Sequence, residues 1–198
     1  MKRALTLSVL LGVAVSAATL TGVPREARAS VSVAVTFEGL VRDSSAVALV
    51  TAVEQRSVWE GERIYTYSRV HVDSSVAGEL KPEDETWVRT LGGVVGEVGQ
   101  RVEGEAVFTV GRPSLVFLKH DRMGTGTYVV TARAQGQFGL YLDEKSAVHV
   151  QKSNAMGTLF APQGPNAHLP LASDVIHGRP MTDAAKDIGT AWSRQHAP

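Results

Sequence analysis

The chain has 198 residues, of which 43% are hydrophobic and only 6% aromatic, and its 20 basic side chains balance 20 acidic ones. The absence of cysteine excludes disulfide scaffolds, thiolate metal sites, cysteine nucleophiles and lipid attachment through an N-terminal Cys. Neutral charge argues against a nucleic-acid binder, which carries a basic excess.

Lys2 and Arg3 precede a largely apolar run over residues 4–20, followed by polar Arg25-Glu26 and the small-residue triplet Ala27-Arg28-Ala29. A secretory signal peptide requires that order: a positive end, an apolar stretch for the translocon, and small side chains that fit the peptidase. Cleavage is expected between Ala29 and Ser30, with an earlier cut after Ala17 or Ala18 as the alternative. Ser8, Gly12, Ser16 and Thr19 interrupt the run, which falls short of the ~20 strongly apolar residues that a retained span needs. Residues 1–29 carry four basic and one acidic side chain, so the mature chain has 16 basic against 19 acidic groups and a formal charge of −3. The product is expected to be exported, periplasmic or extracellular, with no integral membrane segment after cleavage.

In the mature chain, residues 37–42 place apolar side chains at spacings of three and four, which suits a short helix. Residues 46–53 form a continuous apolar run of strand length, covered on both faces at one end. A turn is expected over residues 59–63, followed by a long strand over 64–76. On that strand Ile64, Thr66, Ser68, Val70, Val72 and Val76 share one face, and Tyr65, Tyr67, Arg69, His71 and Asp73 the other. Beyond a charged loop with Pro82, residues 86–91 read as a third strand. Residues 92–111 include six glycines and read as a shaped loop with one short strand at 106–108. Further strands are expected at 114–120, 128–133, 138–142 and 147–151, with turns at Gly124-Thr125-Gly126 and Gln135-Gly136-Gln137. Many short strands and no convincing core helix indicate a mainly β protein, a closed barrel or a small sandwich. Residues 153–180 are rich in Gly and Pro yet still apolar, so they should form an irregular strap packed on the barrel. A C-terminal helix follows, capped by Thr182, with Ala185, Ile188 and Trp192 on one side. The divisions are therefore a signal over 1–29, a barrel over 31–152, and a strap and helix over 153–198.

Chemistry-bearing motifs are sparse. The six histidines show neither H-x-H nor H-E-x-x-H, so no metal site is indicated. His71 and Asp73 share a strand face without a third ligand. Ser173-Asp174 near His177 has the residue types of a triad but no nucleophile elbow. The carboxylates of Glu83-Asp84-Glu85 and of Glu103 and Glu105 have no evident sugar cleft around them. Gly92, Gly93, Gly96 and Gly99 match neither phosphate-binding glycine pattern; they supply positive φ or close backbone approach, or let the loop touch a partner. No catalytic residue and no cofactor follows from these motifs. Trp59, Tyr65 and Tyr67, continued by Arg69 and His71, have the composition of an interaction surface, unless residues 153–198 cover them.

The succession of the 46–53 run, a charged hairpin, a strand ending in Ala77-Gly78, Thr86-Trp87-Val88, Gly92-Gly93, Gly111 before Leu115-Val116-Phe117-Leu118, and Tyr128-Val129-Val130 resembles a group of uncharacterised secreted bacterial β-barrel proteins. More distantly it resembles the netrin-like module of the tissue inhibitors of metalloproteinases, over roughly residues 40–142. That resemblance implies a five-stranded OB-type barrel, so the expected fold is mainly β, a small OB-like closed or partly open barrel with the C-terminal strap and short helix docked on it. Those inhibitors chelate zinc through an N-terminal Cys, and this chain has no Cys, so their mechanism does not carry over. The expectation is a non-catalytic binding module for an envelope or extracellular protein or polysaccharide; the alternative is an inhibitor or accessory factor of an exported peptidase. N-terminal sequencing of the protein recovered from outside the cytoplasm is expected to begin at Ser30; recovery of an intact Met1 would remove the export reading.

Overall fold

The computed structural model describes residues 32–123 and 126–197. The expected signal segment and Gly124-Thr125 lie outside the described residues. In chain order the elements are β1 (Ser32–Val33), α1 (Phe37–Arg42), β2 (Ala46–Glu60), β3 (Arg63–Gly78), β4 (Glu85–Leu91), β5 (Gly93–Val95), β6 (Val98–Gln100) and β7 (Pro113–His120). They continue with β8 (Tyr128–Val130), β9 (Gln137–Leu142), β10 (Val148–Lys152), β11 (Leu159–Phe160), α2 (Ala172–Ile176) and α3 (Met181–Gln195). The expected helix at 37–42 forms where its spacing predicts. Thr36 caps it by accepting the Gly39 N–H at 3.1 Å, which satisfies one of the donors that the first turn leaves without a partner.

Five strands close a barrel in the order β2-β3-β4-β8-β7 and back to β2, with β4 and β8 parallel and the other neighbours antiparallel. This is the connectivity of an OB-type barrel. β7 divides its second edge between β8 and β9, and β9 carries β10 outward as an extension of the sheet. The first half of β2 is buried on both faces, as its unbroken apolar run predicts. Ala46, Ala48, Val50 and Ala52 point into the barrel with Val70, Val72, Val88, Val116 and Leu118. Val47 faces outward with Leu115, Phe117, Phe138 and Val150, where it meets Leu40, Ile176, Ile188 and Ala191 from the three helices. Phe117 and Phe138 meet edge to face with ring centroids 6.1 Å apart, a geometry that adds to their area burial.

Several expectations are corrected. β2 does not end at residue 53 but runs to Glu60, leaving a tight turn at Gly61-Glu62. Register shifts between Val47 and Ala48 and between Leu49 and Val50 change the parity of β3, so Val76 leaves the face of Ile64 and packs against the helical core. Residues 106–108 form no strand. The main chain of Val107 instead pairs with the side-chain amide of Gln137, which accepts its N–H at 2.9 Å and donates to its carbonyl at 2.8 Å. The glycine loop holds the β5–β6 hairpin instead. The 128–133 strand stops at Val130, because Ala132 and Arg133 take positive φ and lead into a 3-10 turn. Pro180, not Thr182, occupies the N-cap of α3, and the helix buries Ala184, Ile188 and Ala191 instead of Ala185. Trp192 is only partly buried against the same cluster.

Phe117→Ala is expected to cost ~3–5 kcal/mol in urea denaturation, since it empties a fully enclosed site. Adding Phe138→Ala should cost less than the sum of the single changes, because both rings border one cavity.

Candidate functional site

The β2–β3–β4 register assembles an outward face from side chains far apart in sequence. Opposite Tyr65 lie Val58 and Leu91, opposite Tyr67 lie Arg56 and Arg89, opposite Arg69 lie Glu54 and Trp87, and opposite His71 lie Thr51 and Glu85. Tyr65, Tyr67, Arg69 and His71 are thus brought together as predicted, half-buried along one strand. Trp59 is not among them. The two-residue turn pairs it with Ile64, which puts its ring, 47% exposed, on the opposite face of the hairpin. The same turn was readable in the sequence, and once placed at Gly61-Glu62 it fixes that parity.

Guanidinium groups interleave the rings. Arg89 lies 3.5 Å over the centre of Tyr65, and Arg56 lies 5.0 Å from Trp87 and 5.6 Å from Tyr67; such contacts gain strength as they are desolvated. Arg89 is the anchor. Its side chain is only 9% exposed, and it donates to Glu60 at 2.5 Å and to Asp121 at 3.3 Å. Tyr67 donates to the same Glu60 at 2.6 Å. Burial works against the Arg89 charge, but the hydrogen bonds and charges of its acidic partners outweigh it and hold the group protonated. The Arg89 hydrogen bond in turn lowers the Glu60 carboxyl below its ordinary 4.5, helped by Tyr67. Arg69 bridges Glu54 at 3.0 Å and Glu85 at 2.6 Å. His71 lies 3.8 Å from Glu83, while Asp73 accepts from Thr51 at 2.7 Å, so the imidazole and that carboxylate serve different neighbours. The sequence gives no sign that Arg56, Glu60, Trp87, Arg89 and Asp121 belong to this face, where the folded chain gathers them.

The helical core contains none of these face residues. The three helices cover the barrel around Val47 and Phe117, and the aromatic face remains clear of them. On the inner side of the same hairpin, Ser57, Thr66, Gln100, Gly92, Gly93 and Glu103 line an open groove of about 1080 Å³. Two of its glycines, Gly92 and Gly93, leave no room for a Cβ. At Gly93, φ is +137°, and a Cβ would stand 2.3 Å from Thr66 Oγ1 and 2.4 Å from Ser57 Oγ. At Gly92 it would stand 2.7 Å from the Gln100 carbonyl. Gly96 turns the β5–β6 hairpin in open space, and Gly99 meets nothing closer than ordinary van der Waals contact.

The other candidates stay apart. Ser173 donates to Asp174 at 3.3 Å, whereas His177 accepts from the Lys152 N–H. Among the described residues no cluster of three His, Cys, Asp or Glu could hold a metal, and no helix is long and apolar enough to cross a membrane. The fold class this geometry defines is a mainly β, OB-type barrel with a helical layer on one side. No protein family and no curated protein matches the chain.

Because the folded-state value of Glu60 is depressed, its stabilising contribution is complete above about 4.5 and is lost as pH falls through the lower folded value. Acid titration of stability followed by circular dichroism should therefore show a shallower loss below pH ~4.5 for Glu60→Gln than for the wild type. Equal slopes would show that the Glu60–Arg89 contact carries no linked stability.

Proposed function

We propose that the protein is an exported binding module that holds a protein or polysaccharide partner outside the cytoplasm. The observation that carries this reading is the interleaved face of Tyr65, Arg89, Tyr67, Arg56 and Trp87 across β2, β3 and β4. Aromatic and Arg side chains are the residue types that dominate binding energy when a partner desolvates them. Pre-ordering supports the reading further. Arg89 is locked by Glu60 and Asp121 and Arg69 by Glu54 and Glu85, so little side-chain entropy is left to lose on contact. The position is also apt, since this second–third strand face is where OB-type barrels take their ligands, a correspondence of fold alone. The peptidase-inhibitor alternative shares only the barrel and lacks the cysteine that the resembling inhibitors use.

The mature protein, immobilised, is expected to retain a partner from the envelope fraction or culture medium of its source. Arg56→Gln and Trp87→Ala should each reduce that capture about tenfold or more, the scale of a central interface residue. Capture unchanged in both variants, with folding confirmed by circular dichroism, would move the site elsewhere.

A further inference from the structure

The barrel is closed unevenly. β4 and β8 pair at a single position, Val88 with Tyr128, and no further ladder pair joins the two strands. Residues 89–91 of β4, 129–130 of β8 and 32–35 together line a groove of about 720 Å³, which shares Tyr65 and Arg89 with the aromatic face. Such a seam offers main-chain groups that a regular barrel would consume in its own ladder.

The charges around this groove are unbalanced. Arg63, Arg89, Lys119 and Arg133 line it against one acid, Glu105. Arg89 is committed to Glu60 and Asp121. Among the described residues Arg63 and Lys119 have no ion-pair partner, and Arg133 reaches Glu105 only at 3.7 Å. These cations gather on a chain whose exported portion carries a formal −3, so the excess is local. Glu105 shows what the seam accepts. Its largely buried carboxylate takes the N–H groups of Ala106 and Leu91, the latter on β4. Between the cations the lining mixes aliphatic Val33, Leu91, Val129 and Ala132 with polar Ser32, Thr90 and Gln135, and Tyr65 is its one aromatic ring.

We propose that the seam groove binds an extended peptide segment bearing acidic side chains, with its carboxylates on Arg63, Lys119 and Arg133 and its intervening apolar side chains on the aliphatic lining. This rests on the binding-module reading and names the chemistry of the partner. An acidic glycan would satisfy the cations but leave the aliphatic wall without a complement, whereas alternating acidic and apolar side chains use both. Arg forks also suit planar carboxylates held in a fixed direction.

The test uses the mature chain and three probes read by fluorescence anisotropy: a labelled peptide of alternating Glu and Val, the same peptide with Gln for Glu, and hexagalacturonate. The Glu peptide is expected to bind, to weaken about tenfold or more in the Arg63→Gln/Lys119→Gln double variant, and to weaken as salt rises. The Gln peptide should bind at least about tenfold more weakly, and Lys119→Arg should retain binding. No binding of the Glu peptide, equal binding of the Gln peptide, indifference to the double variant, or preference for hexagalacturonate would each overturn the proposal. Partner capture by the immobilised protein separates the two readings. Capture lost in Trp87→Ala but unchanged in the double variant retains the module and removes the groove, whereas no capture by the wild type removes the module itself.

Discussion

A closed five-stranded barrel has little interior room, and the first half of β2 has to serve that interior and a second core at once. Its inward positions are accordingly small: Ala46, Ala48, Val50 and Ala52. Its outward positions carry the helical layer, beginning with Val47. No disulfide supports the arrangement, because the chain has no cysteine. The cores on the two sides of one strand therefore replace covalent staples, and a single register error there would turn both inside out.

From Val53 onward that requirement lapses. The register shifts between Ala52 and Glu54, the inward side becomes Gln55 and Ser57, and the outward side becomes Arg56 and Val58. The same strand thus passes from a doubly buried scaffold to a surface that carries chemistry. Rigid barrel strands underlie the aromatic face, and the charges that would otherwise make it mobile are held in the chain Tyr67–Glu60–Arg89–Asp121.

Much of the barrel was legible because burial leaves a periodic trace. The period-two pattern of residues 64–72 set Tyr65, Tyr67, Arg69 and His71 on one face, and the unbroken run from Ala46 announced double burial. What escaped notice has a common physical origin. Bulges change parity without requiring a particular residue, so Val76 was assigned to the wrong side. An apolar triplet such as Ala106-Val107-Phe108 reads as a strand, but its main chain is served by the side-chain amide of Gln137 instead of a neighbouring strand. Cross-strand neighbours are chosen by register, so Trp87 and Arg89 gave no local sign of joining Tyr65 and Tyr67, although the parity of Trp59 followed from its turn. Pro180 fixes the start of α3 through its preset φ, a cue as local as Thr182 but one residue type removed from the usual side-chain cap.

The short β1 strand has a consequence for the order in which the chain can fold. It pairs with β11, Ser32 beside Leu159 and Val33 beside Phe160, and Thr36 bridges to Leu171. Glu38 on α1 is met by Arg194 and Gln195 at the far end of the chain. Gln135 already meets Val33 and Val35, but these further partners of the first described residues come later in the chain. In a chain synthesised from its N-terminal end, the pairing of β1 and the ion pair of Glu38 wait until residues 159–195 have followed. Contacts of such long sequence separation carry a loop-closure cost before they reward it, so the ends of the described chain are tied together by the pairings that are costliest to reach.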